Sequence, residues 1–380
     1  VPVLGLGFRP FFWLAAAFAA IAVPLWAVQY AGGLAPLPMS LPAYLWHAHE
    51  MVFGFAVAVI VGFLFTASRN WTGLPTPSGG HLAALALLWL AARVAVFAMP
   101  MWIAALLSSG FTAWAAVCVA RVLLRARSRR NYFAPALLFA FAALDALFFA
   151  AAAGRLSLPI LVPVRLAVLL IVFLVTVIGG RVIPMFTRNA TGAAIAAHPQ
   201  IDRAALVLLI AAIMAQLLPA PAMLKAVLWF AAAALHAARL AGWRPFGTLQ
   251  QPILWILHLS YAWIPIGLLL YGLSALGRVS PIIALHALTI GAIGGMILGM
   301  MARVARGHTG RPLRSGTVEV AAFALLQLGA VVRVATPLAL PEDYRQSVLA
   351  SAALWSLAFF GYLWVFTPIL WRMRADSAPG

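Results

Sequence analysis

The amino-acid sequence predicts an all-α fold: a polytopic membrane protein of about twelve transmembrane helices with both termini cytoplasmic. Three observations predict it. Of 380 residues, 65% are hydrophobic and 8% charged, which is more apolar surface than a soluble domain can hide. The apolar runs last about 20 residues, where a barrel strand would alternate over about 10. Basic residues gather in every second connection, as a fixed membrane orientation demands.

Pro, Gly and charge punctuate the runs, which are taken here in chain order. Span 1 covers 11–31. Span 2, 43–67, opens with Trp46-His47-Ala48-His49-Glu50-Met51. Spans 3 and 4 cover 82–99 and 102–120, and a run of arginines from Arg121 to Arg130 follows. Span 5 is 133–153 and span 6 is 158–180, its inner end reading as a structured turn through Gly179-Gly180-Arg181-Val182-Ile183-Pro184. Span 7, 204–219, is short and pairs closely with span 8, 222–240, through Pro219-Ala220-Pro221. Spans 9 to 12 are 252–275, 282–302, 316–337 and 346–370. With the N-terminus inside, outer loops hold only Arg155, Arg278 and Arg345, with Lys225 at a helix mouth. No soluble domain, long linker or internal repeat stands out, so residues 1–380 read as a single integral membrane domain. The first run lacks a basic leader, so no cleavable signal peptide is expected.

A net charge of +18 would suggest nucleic acid in a soluble protein. Here it reflects inner-loop arginines, and no nucleic-acid partner is expected, whereas membrane lipids are. One cysteine, Cys118, excludes an intramolecular disulfide and a four-cysteine iron–sulfur cluster. Any metal must be held by His, Met, carboxylate or backbone groups.

Topology converts the histidines into depths. His49 near the start of span 2 and His286 near the start of span 10 both lie roughly 6–9 Å below the outer boundary. Imidazoles at matched depth on two helices suit the axial positions of a haem b, so these two are the leading ligand pair. His47 is two residues from His49 and points to the opposite side of a helix, while Glu50, three residues from His47, shares its face. His47 and Glu50 are therefore candidates for a second metal, a proton relay or a plain interfacial hydrogen bond. His258 lies in an apolar run with Trp255 and Tyr261 and is costly without a partner, so it is a candidate for a second haem or metal, with His236 at similar depth. His308, in Gly307-His308-Thr309-Gly310-Arg311, is a candidate metal or anion contact or an ordinary basic turn.

In span 10, Gly291, Gly295 and Gly299 fall four apart, a stripe that admits close approach by a helix or a flat macrocycle. Met296, Met300 and Met301 offer thioethers for copper or for packing. Arg93, Arg165 and Arg333 lie within apolar runs, and Asp145 is in the middle of span 5. A buried arginine against Asp145 would limit the cost of both, and Arg165, at the depth of the expected haem, is positioned for a propionate.

Several stretches together carry a resemblance. They are Gly7-Phe8-Arg9-Pro10-Phe11-Phe12, the Trp46 to Met51 stretch with Gly54-Phe55, Asn70-Trp71-Thr72-Gly73, Gly179 to Pro184, and His286 to Arg311. In this order across twelve spans the sequence resembles the NnrS family over nearly its whole length. The resemblance implies a haem- and copper-containing protein of the bacterial inner (cytoplasmic) membrane, linked to nitric oxide and nitrosative stress in denitrification or host attack. More distantly, spans 2 and 10 are similar to the two helices that carry the low-spin haem ligands of haem–copper oxidases and nitric oxide reductases. The histidines of that superfamily's copper site and second haem are missing here.

The leading expectation is thus one or two haems b with His49 and His286 as axial ligands. The protein would bind or reduce nitric oxide, or pass electrons to that chemistry, as a quinol-linked oxidoreductase. The competing expectations are a transporter or channel for a metal, haem or small anion, and a haem-based sensor or assembly factor without turnover.

Overall fold

The computed structural model describes residues 2–34, 39–196 and 198–376. Twelve helices among them are long and apolar enough to cross a membrane, and no strand occurs among the described residues. They are α1 (Phe8–Tyr30), α2 (Ala43–Thr72), α3 (Gly79–Ala98), α4 (Met101–Arg125), α5 (Arg129–Ala152) and α6 (Val162–Thr191). Then come α7 (Pro199–Leu217), α8 (Ala222–Gly242), α9 (Pro252–Ala275), α10 (Pro281–Gly307), α11 (Thr317–Ala339) and α12 (Pro341–Trp371). Each corresponds to one of the twelve spans read from the sequence, and the chain is a multi-pass membrane protein.

Prolines open several helices where a missing N–H is harmless: Pro199, Pro252 and Pro281 occupy first-turn positions. Gly73 closes α2 at φ 71°, in the left-handed region that only glycine enters freely, and its N–H reaches the Arg69 carbonyl at 2.8 Å. The stretch from Gly179 to Pro184 is not a turn. α6 runs on through it to Thr191, with Pro184 inside the helix.

Two helices depart from α geometry. α2 is π-helical from Glu50 to Ala56 and α10 from Ala287 to Gly294. Each π segment begins at the residue after a histidine, His49 or His286. Wide turns of this kind are rare and concentrate at functional sites.

The chain forms two compact units. The first comprises Val1–Ala167, Met301–Pro312 and Phe359–Gly380, and the second Val168–Met300 and Leu313–Ala358. In the first, α2 is the most enclosed span, 89% of its apolar window being buried. α1 lies close against it, because an added side-chain carbon on Gly62 would come within 3.0 Å of Phe11 Cβ. The end of α12 is tied to α1 by Arg9 Nη1, which donates to the carbonyls of Leu370 (3.0 Å) and Arg372 (2.7 Å).

In the second unit α9 is central, packing on α8 and α10. The Gly291–Gly295–Gly299 stripe of α10 receives α9 rather than a macrocycle. Trp263 sits on Gly291, Ser260 on Gly295, and Ile256 and Leu257 on Gly299. Trp263 Nε1 also donates to Gln327 Oε1 of α11 at 2.7 Å, and Gln327 Nε2 to Ser260 Oγ at 3.2 Å. Met296 and Met301 are buried packing residues of their respective units.

Candidate functional site

The first unit encloses a ring of ionisable side chains drawn from four helices. His49 and Glu50 enter on α2, Arg93 on α3, Ser108 on α4 and Asp145 on α5. His49 Nδ1 lies 2.9 Å from Glu50 Oε1 and Nε2 lies 2.7 Å from Asp145 Oδ1. Arg93 Nη1 donates to Glu50 Oε1 at 2.7 Å, and Nη2 to Ser108 Oγ at 3.2 Å. The Ser108 hydroxyl donates to Asp145 Oδ2 at 2.6 Å, which closes the ring. His49, Glu50 and Asp145 are 0% exposed.

Donor counting constrains this ring. Each imidazole nitrogen of His49 faces a carboxylate oxygen, and a neutral imidazole has one N–H to give. With both carboxylates ionised both ring contacts of His49 are met as an imidazolium, and Arg93 and His49 then balance Glu50 and Asp145, while Glu50 Oε2 and Arg93 Nε have no partner among the described residues. A neutral closed set is the form in which buried charges persist, because an unmatched charge at this depth is far more costly. The sequence makes room for it. Arg93 lies over Gly54, where any side chain would collide with the guanidinium. Trp89, next to Arg93 on α3, donates Nε1 to the Gly54 carbonyl at 3.0 Å.

This geometry revises the readings of span 2. The helix turns wide at Glu50, and the carboxylate faces His49 and Arg93. His47 instead lies flat on the Trp26 indole, with ring centroids 3.8 Å apart and planes 14° apart. Asp145 is matched by His49 directly and by Arg93 only through Ser108. His49 does not fit the expected role of haem ligand in this arrangement. Both of its nitrogens are engaged, and Phe53, Phe148 and Phe149 surround its ring at 5.1, 4.9 and 4.9 Å.

The second unit holds its own polar cluster. On α8, Arg239 pairs through Nε with Asp202 of α7 and through Nη1 with the Thr176 carbonyl (2.8 Å) and the Tyr261 hydroxyl (3.1 Å). His236 Nδ1 faces the same hydroxyl at 2.8 Å. Gly180 provides the seat for the Arg239 guanidinium, as Gly54 does for Arg93. That is the physical reason for a glycine at position 180 within α6. Arg239, Asp202 and Tyr261 escaped the sequence reading. Only the three-residue spacing of His236 and Arg239 on one helix hinted at a shared face.

His258 lies beside this cluster, its ring 6.4 Å from that of Trp243. Its Nε2 is 2.8 Å from Thr187 Oγ1, and that hydroxyl gives its own proton to the Ile183 carbonyl at 2.9 Å. With the hydroxyl proton on the Ile183 carbonyl, the imidazole donates through Nε2, leaving a lone pair on Nδ1. That atom is buried and has no hydrogen-bond partner among the described residues.

His286 is half-buried on α10, and its Nδ1 lies 2.7 Å from the Ile282 carbonyl. The carbonyl can only accept, so the proton is on Nδ1 and Nε2 is the basic nitrogen. His258 and His286 sit at different levels. On α9, Ile256 and Leu257 lie against Gly299, whereas Gly267 lies against Leu288. Arg165 is exposed in the first turns of α6.

His308 is half-buried at one end of the first unit. Its carbonyl accepts from Arg374 Nη1 at 3.0 Å, its ring is 5.8 Å from that of Phe8, and its Nε2 faces Asn70 Nδ2 at 3.5 Å. Three stretches singled out in the sequence, around Phe8, Asn70 and His308, thus meet there. Among the described residues no three His, Cys, Asp or Glu side chains are grouped so as to hold a metal ion.

A family model described as NnrS protein matches residues 2–374. No curated protein matches the chain.

Proposed function

The chain belongs to the NnrS family, and on that premise we propose that it is a haem-binding protein of the bacterial inner membrane. In this reading it binds or reduces nitric oxide, or passes electrons drawn from quinol to that chemistry. Haem, when bound, supplies iron that takes nitric oxide as a ligand and exchanges electrons. The chain supplies the imidazole, and the residue proposed for it is His286. The observation that carries this is the 2.7 Å contact of His286 Nδ1 with the Ile282 carbonyl. A backbone-held Nδ1–H fixes the ring and directs Nε2 to a metal, the usual support behind a ligating histidine.

His258 is the second proposed donor. Its Nε2–H is held by Thr187 and its Nδ1 lone pair is unspent among the described residues. Nδ1 stands beside the Cβ branch of the ring, which suits a bare ion better than a macrocycle. Copper is proposed there, with His258 as one of its ligands. His49 is assigned to neither metal. Its part is to knit α2 to α5, and through Glu50, Arg93 and Ser108 to hold α3 and α4.

The test is a reduced-minus-oxidised spectrum with haem counted per purified chain. The wild type should show a b-type signal. His286→Ala should lose it, and His49→Ala should keep it in whatever fraction stays folded. A colourless haem-replete protein, or a His286→Ala spectrum identical to the wild type, overturns the reading. Loss of nitric oxide at an electrode, with a quinol donor, separates turnover from binding. The buried charge ring is the observation that favours a transporter instead, and uptake into proteoliposomes would establish that reading.

A further inference from the structure

The loop joining α2 to α3 borders a cavity of about 680 Å³ whose lining includes Gly5, Arg69, Gly73, Thr76, Ser78 and Gly80. Three separate features give it one chemical character. Arg69, in the last turn of α2, has no side-chain hydrogen bond or ion pair with any described residue, so none of them takes up its charge. No Asp or Glu lines the cavity.

Next, the twenty-residue helix α3 begins on this wall. Its N-cap Ser78 makes no side-chain capping bond, and Gly79 enters at φ 56°. The first-turn N–H groups are therefore left for an outside acceptor, at the positive end of a full-length helix. The third feature is Thr76. It lines the cavity, is only 9% exposed, and its hydroxyl has no partner among the described residues. With no partner among the described residues, the hydroxyl is left to bond whatever occupies the cavity it lines. Pro75 and Pro77 flank it and hold its backbone in place.

We propose that this cavity is a binding site for a phosphate group, clamped by Arg69, the first turn of α3 and the Thr76 hydroxyl. An unpaired guanidinium, free helix N–H groups and a hydroxyl are all donors, and together they match the oxygens of a phosphate rather than a cation or an apolar molecule. The cavity adjoins Asn70-Trp71-Thr72-Gly73, a stretch the haem reading leaves without a role. It lies where two apolar helices end, at the level of lipid headgroups. The phosphate can therefore come from an anionic phospholipid or from solution. The site stands apart from the haem reading and survives its failure.

The experiment uses the full chain purified in an uncharged detergent. Calorimetric titration with inorganic phosphate forms one arm. In the other, the protein is transferred to nanodiscs of phosphatidylcholine with or without phosphatidylglycerol, and retained lipid is counted by native mass spectrometry. Arg69→Gln should weaken binding by about tenfold or more, the loss of one charge-assisted contact. Thr76→Val should weaken it by roughly three- to tenfold. Phosphatidylglycerol retained without phosphate binding assigns the site to lipid, and the reverse assigns it to a soluble phosphate. If neither binds to the wild type, or both variants bind like it, the proposal is wrong. Thr76→Val removes no charge, so it decides alone should Arg69→Gln fail to fold.

Discussion

The charge balance of the buried ring makes a sharp prediction about paired substitutions. Arg93 Nη1 and Glu50 Oε1 are 2.7 Å apart, with side chains 6% and 0% exposed. At an effective dielectric of about 20, the gross attraction at that distance is about 6 kcal/mol, and desolvation cancels much of it. Removing one member strands the other, which costs roughly 3–5 kcal/mol. Arg93→Met leaves the ring with a net negative charge and Glu50→Met leaves it positive. Removing both leaves His49 against Asp145 and restores neutrality. The double variant should then cost only roughly 1–3 kcal/mol, the price of the His49 N–H left facing no acceptor. That is well below the roughly 6–10 kcal/mol sum of the singles. Unfolding midpoints in detergent, read by near-ultraviolet circular dichroism, measure all four proteins. Singles that cost under about 1 kcal/mol, or a double that costs their sum, would refute the closed-ring description.

Three further outcomes follow from the same geometry. Gly54→Ala and Gly180→Ala place a methyl group on the guanidinium of Arg93 and Arg239 respectively, and each should destabilise by about 1–3 kcal/mol through overpacking. A midpoint unchanged in either is the contrary result, read in the same assay. Tyr261→Phe removes the group shared by His236 and Arg239 and should cost roughly 1–3 kcal/mol, whereas a neutral effect would mean the hydroxyl is dispensable. Burial, and then the Arg374 guanidinium, holds the His308 imidazole below its ordinary value of 6.5. The folded chain resists that proton, so the stability from His308 is fully present above about pH 6.5 and is lost as pH falls through the folded-state value. Between about pH 7.5 and pH 5 the wild type should therefore lose more stability than His308→Gln, and equal losses would contradict this.

The twelve helices were legible because length and hydropathy decide membrane spans locally. The misreading at the inner end of span 6 came from the same local rules. Gly179-Gly180 and Pro184 look like breakers, yet Gly180 is a seat for an arginine two helices away. Burial of His49, Glu50, Arg93 and Asp145 was also legible, since ionisable groups in apolar runs must be matched. Their pairing was not. Facing residues were assigned with an α-helical period across Glu50, where the backbone is π-helical. Ser108, which carries the link between Arg93 and Asp145, has nothing in its sequence neighbourhood to mark it. His258 and His286 could be named as candidate metal donors from sequence, but which nitrogen each offers depends on Thr187 and on the Ile282 carbonyl, which only the fold brings into place.

The π segments also impose a counting rule on α2 and α10. A π turn takes in about one residue more than an α turn, so one residue lost from Glu50–Ala56 would let that stretch rewind to α geometry while Val57–Thr72 keeps its bearing. The loss would be felt at the wide turn itself, where the Glu50 carboxylate is set against His49 and Arg93. The extra residue in 50–56 therefore belongs to the buried ring rather than to the span as a whole, and relatives of this chain that lack the ring should be able to lack that residue too.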